Sequence, residues 1–293
     1  MIKTLRIAVC VLFVLTTVLF TLSYLRARAL SRDRYPEIFF DTDRITVSLA
    51  PTEEELLSGV SASDAEDGDL TGRVIVESIS HFITPGVSNV TYTVCDSQNH
   101  VTTATRRIVY TDYTPPRFTM SDDLVFSVNE QANPFRCIGA TDVIDGNISD
   151  RIKITAENGF QSGTAGVYPI TVQVTNSKGD VASLQLSVTI ENTSLYAPRI
   201  TLKNYLMYIT VGDTVDLRDN LRAVESVTEN AEDDVETEEE TAAAMEALRE
   251  RVRIETDFDR NTPGVYQVDY RFTDAFDREA HAVLTIVVEE RTE

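Results

Sequence analysis

Three stretches of the chain alternate apolar and polar residues in the same phase. Residues 86–96 read Gly-Val-Ser-Asn-Val-Thr-Tyr-Thr-Val-Cys-Asp, residues 166–176 read Gly-Val-Tyr-Pro-Ile-Thr-Val-Gln-Val-Thr-Asn, and residues 264–274 read Gly-Val-Tyr-Gln-Val-Asp-Tyr-Arg-Phe-Thr-Asp. They align without a gap, so Val90, Tyr92 and Val94 match Ile170, Val172 and Val174, and then Val268, Tyr270 and Phe272. Successive side chains of an extended strand point to opposite faces, so a period of two predicts one buried face and one wet face. A glycine precedes each run, twice as Pro-Gly and once as Ala-Gly, where a turn has to deliver the strand. The pattern predicts one supersecondary unit used three times.

The rhythm continues on both sides. Each signature strand leads into a turn (97–100, 177–180, 275–278) and then a final strand at about 101–110, 181–190 and 279–288. Leu184, Leu186, Val188 and Ile190 alternate well, as do Leu284, Ile286 and Val288. Arg106 stands where the second repeat has Leu186, which reads as an inward charge on a sheet edge. Upstream, each repeat opens on a proline (Pro36, Pro116, Pro198) ahead of an extended run, which suits a residue that cannot donate to a ladder. Residues 113–116 and 196–198 then read as short, stiff linkers that favour an extended string of domains. The domains predicted are 36–113, 114–196 and 197–293, each long enough to close a small sandwich core.

Before the repeats, residues 7–25 carry no charge and are rich in Val, Leu and Phe. A helix of that length spans about 28 Å, close to a bilayer core. The reading is a short cytoplasmic tail (1–6), a signal-anchor helix (7–25) that holds the chain in the membrane, and a basic juxtamembrane linker (26–35). The small-x-small triplet at 27–29 also matches a cleavage site, which leaves a removed signal peptide as the alternative. Orientation has two readings. Arg26, Arg28, Arg32 and Arg34 outnumber Lys3 and Arg6, and a positive-inside count would keep the repeats in the cytoplasm. The acidic strand repeats instead read as exterior modules, and long domains translocate largely regardless of charge.

Charge narrows the partners. With 47 acidic against 26 Lys and Arg residues, the formal net charge is −21, which argues against nucleic acid. Cys10, Cys95 and Cys137 fall one each in the apolar run and the first two repeats, so no repeat can form its own disulfide and stability must come from packed apolar faces.

Ahead of the signature strand, residues 62–71 and 140–149 share the pattern Ala-x-Asp-x-x-Asp-Gly-(Asp/Asn)-(Leu/Ile)-(Thr/Ser). With the later Pro-Gly-x-Tyr-x-Val strand, this resembles the bacterial immunoglobulin-like surface repeats of the group-three type, over most of 36–293. The resemblance implies an all-β fold of three tandem Ig-like β-sandwich domains behind one transmembrane helix, and a cell-surface setting. Repeat three lacks the Asp-Gly segment. Two readings of Asp64, Asp67 and Asp69, and of Asp142, Asp145 and Asn147, stand side by side: oxygen ligands for calcium on a glycine turn, or a turn in which Asp and Asn bond their own backbone.

Repeat three instead carries an insertion at 225–247, with ten acidic residues and no basic one. Its first half is expected to be disordered by charge repulsion. A capping box at 237–240 and an Ala-rich run at 242–248 predict a helix, with Met245, Leu248 and Val252 on a face that docks onto the third sandwich. His81, His100 and His281 form no cluster in sequence, no nucleophile elbow or phosphate-cradling loop occurs, and the chain reads as a non-enzyme. The function expected is a non-catalytic, membrane-anchored surface stalk or adhesion protein with a protein or carbohydrate ligand. An accessory component of an envelope assembly and a calcium-rigidified module are the alternatives.

Overall fold

The computed structural model describes residues 2–30, 35–128, 130, 132–156, 163–193, 196–225 and 246–291, with the helix backbone alone at 2–8 and 27–30. The first sandwich sets a sheet ordered Glu37–Phe40, Val60–Asp64, Gly68–Asp69 against one ordered Arg44–Val47, Val101–Tyr110, Val87–Cys95, Ile75–Ile79. The second repeats the plan with Arg117–Met120, Ile138–Asp142, Gly146–Asn147 against Val125–Ser127, Val181–Glu191, Gly166–Thr175, Lys153–Ala156. The third keeps the larger sheet, Leu206–Thr210, Glu279–Glu289, Gly264–Thr273, Arg253–Thr256, and faces it with the pair Arg199–Leu202 and Leu221–Glu225.

In every copy the opening strand lies in the small sheet, and the next one crosses over to pair parallel with the final strand. That crossover, with antiparallel pairing elsewhere, makes three tandem immunoglobulin-like sandwiches behind one N-terminal helix. The signature strands sit where the period of two places them. Val90, Tyr92, Val94, Ile170, Val172, Val174, Val268, Tyr270 and Phe272 are all buried, each in the core of its own sandwich. The hairpin after each strand turns on Asn99, Gly179 or Asp277 at positive φ (65°, 85° and 60°), residue types that tolerate the left-handed region.

The helix runs over Ile2–Leu30. Within it Val9–Arg26 is long and apolar enough to cross a membrane, with a mean hydropathy of 2.0 and none of that window buried against protein.

Two expectations are corrected. Arg106 is not at an edge: its strand is covered by Arg44–Val47 on one side and Val87–Cys95 on the other, and the residue is 4% exposed. Its guanidinium closes the end of the core, donating to Ser58 O (2.7 Å), Asp41 Oδ1 (2.9 Å) and Thr42 Oγ1 (2.5 Å). The second correction concerns the linker at 196–198. The chain divides into compact units Met1–Thr114 and Pro115–Glu293, so the second and third sandwiches share one unit while keeping separate cores. Met120 packs against both cores, and Leu206 and Val287 of the third sandwich reach the core of the second. A linker this short brings apolar faces together, and burying them outweighs the tendency to string the two sandwiches out.

Most of the acidic insertion, 226–245, lies outside the described residues, including the capping box at 237–240 and Met245. At its far end residues 246–250 are helical, and Leu248 and Val252 pack onto the third core as the periodicity predicts. Arg249 fixes this segment by donating to Leu221 O at 2.9 Å.

Candidate functional site

The shared Asp-Gly segment forms a clasp between the two layers of the first and second sandwiches. Asp64 and Asp142 end the inner strands of the small sheets and are nine-tenths buried. Asp64 Oδ1 accepts the amides of Glu66 (2.8 Å) and Asp67 (2.9 Å), and Asp142 Oδ1 those of Ile144 (2.9 Å) and Asp145 (3.0 Å). Gly68 and Gly146 follow at φ 75° and 71°, where a side chain would strain the backbone although the space beside them is open. Asp69 and Asn147 then accept the amides of Thr71 and Ser149 at 2.9 and 3.0 Å. The hydroxyls of those residues in turn accept the amides of Ala62 (3.2 Å) and Ala140 (3.0 Å). Leu70 and Ile148, one residue earlier, plug the cores.

The middle acid crosses between layers. Asp67 accepts Ser97 N (2.6 Å) and Ser97 Oγ (2.8 Å), and Asp145 accepts Ser177 N (2.6 Å) and Arg151 Nη1 (2.7 Å). Ser97 and Ser177 begin the hairpins that follow the signature strands. Those hairpins are held by Asp96 and Asn176, whose Oδ1 atoms accept two amides each: Gln98 and His100 at 2.8 Å, and Lys178 and Asp180 at 3.0 and 2.9 Å. Burial pushes the Asp145 carboxyl up, but the Ser177 and Arg151 donors outweigh it and hold it below its ordinary value.

The two clasps also differ at the buried acid. Asn176 Nδ2 donates to Asp142 Oδ2 at 3.2 Å. The first repeat has Asp96 in that place, which has no amide to give, and Asp64 Oδ2 is buried with no hydrogen-bond partner. Asp96 uses its own Oδ2 on His100 Nδ1, 2.7 Å away. The third sandwich keeps only the hairpin half, where Asp274 accepts Phe276 N, Arg278 N and Arg278 Nε. On its other side Asn220 bonds both backbone groups of Asn204, and Arg218 donates to Arg249 O and Val252 O.

As a calcium cage the six predicted residues fit poorly. The ion takes six to eight oxygens, whereas at each of the six residues at least one side-chain oxygen accepts from an N–H, O–H or guanidinium donor of the chain. Among the described residues, no group of three or more His, Cys, Asp or Glu side chains is placed to hold a metal. The hydrogen bonds of the clasp join the small sheet to the hairpin end of the large one.

Two features were not legible beforehand. The first is a groove of about 430 Å³ in the second unit, lined by Thr171, Gln185 and Ser187 of the second sandwich and by Asp257, Tyr266 and Gln267 of the third. The second is the setting of His281, whose side chain is 5% exposed and contacts Glu191 and Asp269. Neither has a sequence signal, because Glu191 lies 90 positions away and joins the cluster only through the docking of two sandwiches. The role of Asp96, Asn176 and Asp274, by contrast, is visible in the alignment, since the eleventh position of each signature run is Asp or Asn.

No family model matches the chain. The pesticidal crystal protein Cry22Aa of Bacillus thuringiensis is 26% identical over 234 residues, 78% of this chain and 29% of that protein. An uncharacterized 81.3 kDa protein of Acholeplasma phage L2 is 47% identical over 45 residues, 15% of this chain and 6% of that protein. The chain thus spans less than a third of either relative. Among solved structures, Drosophila N-cadherin EC1-4 is 14% identical, with 89% of this chain and 76% of that one covered and a TM-score of 0.23. A Clostridium perfringens ZmpB structure containing an M60 catalytic domain and CBM51 domains is 12% identical, covering 88% of this chain and 31% of that one, with a TM-score of 0.23.

Proposed function

We propose that the chain is a non-catalytic, membrane-anchored surface protein of the bacterial immunoglobulin-like repeat type, a stalk or adhesion module that presents its sandwiches to a protein or carbohydrate ligand. The observation that carries this reading is the N-terminal helix. Its apolar side chains are exposed all round, with Phe13 and Phe20 at 70% and 71%, and no part of the Val9–Arg26 window is buried against protein. A bilayer core would cover such a surface, which supports the anchor reading. Supporting it, the polar residues that the sandwiches share are occupied in turns and interlayer bonds, which is the chemistry of a scaffold. The polar groove of the second unit has the volume of a small-ligand site.

External protease added to intact cells tests the placement. The expected result is loss of the sandwiches with the helix fragment left in the membrane fraction. Repeats protected until the cells are lysed would overturn the outside placement. A soluble chain beginning after residue 29 would overturn the anchor.

A further inference from the structure

The second and third sandwiches meet over a face that combines apolar packing with a cluster of ionisable groups. Besides Met120, Leu206 and Val287, the amide of Phe118 donates to Tyr208 Oη at 3.1 Å, and Arg117 pairs with Glu289 at 2.6 Å. On the same face His281 lies on the final strand of the third sandwich. Its Nδ1 lies 2.7 Å from Oε1 of Glu191, at the end of the last strand of the second sandwich. Its Nε2 lies 2.7 Å from Oδ1 of Asp269, on the third signature strand.

A carboxylate can only accept, and a neutral imidazole has one N–H to give. Two ring nitrogens at bonding distance from two carboxylates therefore call for the imidazolium, which donates from both. We propose that this junction is a proton-set clamp: protonated His281 ties Glu191 of the second sandwich to Asp269 of the third, and loss of that proton loosens the joint and the groove that spans it.

The surrounding charges fix the direction. Burial alone pushes the His281 imidazolium pKa down, but Glu191 and Asp269 outweigh it and hold the value above its ordinary one, with Arg271, opposite in the strand register, working against them. The hydrogen bond from His281 is the main reason that the Glu191 carboxyl sits below its usual range. From the loop between Arg117–Met120 and Val125–Ser127 come Asp122, which pairs with Arg199 at 3.3 Å, and Asp123. Removal from solvent pushes Asp123 up to about 7, helped by Asp122 and opposed by Val125 N–H, His281 and Arg199. A raised His281 value means that the clamp is complete below the ordinary histidine pKa of about 6.5 and is lost as pH climbs through the docked value. A lowered Glu191 value means that it is complete above about 4.5 and is lost as pH falls through the docked value. Asp123, raised from 3.8, gives up its contribution as pH rises from there toward about 7 and adds nothing more above it. The His281–Glu191 clamp is complete between about pH 4.5 and 6.5.

The test uses the full chain in detergent micelles. With three histidines in the sequence, the His281 ring resonances are assigned by comparison with His281→Gln and titrated by NMR. Exchange of the Phe118 amide, corrected for its intrinsic rate, reports whether the joint is closed. The expected results are a His281 pKa above the ordinary value, a drop of that pKa in Glu191→Gln, and wild-type Phe118 protection that falls as pH rises from 6 to 8.5. The fall amounts to about tenfold for each unit by which docking raises the pKa. Asp123→Asn retains that dependence and His281→Gln lacks it. A His281 pKa at or below the ordinary value, or Phe118 protection with the same pH profile in wild type and His281→Gln, overturns the proposal.

Discussion

Asp96 shows how much one atom decides. It holds its hairpin through the same two backbone bonds as Asn176, yet it lacks the amide that Asn176 gives to the buried acid opposite. An unpaired buried acceptor is expensive, more so when the neighbour is a second carboxylate. Asp96→Asn restores the donor while leaving the Oδ1 bonds in place. The expected outcome at pH 7 is a rise of about 4 °C in the melting temperature of the first sandwich, measured by calorimetry. An unchanged or lower value would show that the His100 contact matters more than the orphaned oxygen. Arg106 teaches the opposite lesson. Its alignment with Leu186 was legible, but its burial was not, because only the folded chain brings Ser58, Asp41 and Thr42 around its guanidinium.

At the scale of elements, the signature strand and its hairpin are set locally. Alternation chooses the buried face, a residue fit for positive φ turns the chain, and an Asp or Asn side chain caps the turn. The final strands fall within a residue or so of their expected ends, at Val101–Tyr110, Val181–Glu191 and Glu279–Glu289. The short strands Arg44–Val47, Val125–Ser127 and Leu206–Thr210 carry no comparable signal, since they exist by pairing in parallel with a strand far along the chain. The Asp-Gly clasp was read as a turn or a calcium site, and its oxygens are turned toward donors of the chain itself. Chelator is therefore expected to leave every melting transition within about 1 °C of its position in millimolar calcium. A fall of several degrees would return these residues to calcium.

At the scale of the molecule, division into two compact units predicts two cooperative transitions for the full chain in detergent. Leu184→Ala, a truncation in the core of the second sandwich, is expected to cost about 3 kcal/mol. It should move the upper-numbered unit, 115–293, as a whole and leave the transition of the first sandwich in place. Independent melting of the second and third sandwiches would show that their shared face is too weak to couple them. Adding base extends the same experiment, because the His281 clamp is complete below about pH 6.5 and its share of the coupling is lost as pH rises above that.

By itself, the sequence determined the class of fold, the number of sandwiches, the buried face of each principal strand and the presence of a lipid-length apolar helix. These follow from periodicity and from turn residues, which act over a few positions. Tertiary structure alone decided that two sandwiches fuse into one unit, that Arg106 is a core residue, and that His281 bridges two carboxylates. Each of those depends on groups brought together across tens of residues, and there burial and pairing, not local propensity, set the outcome.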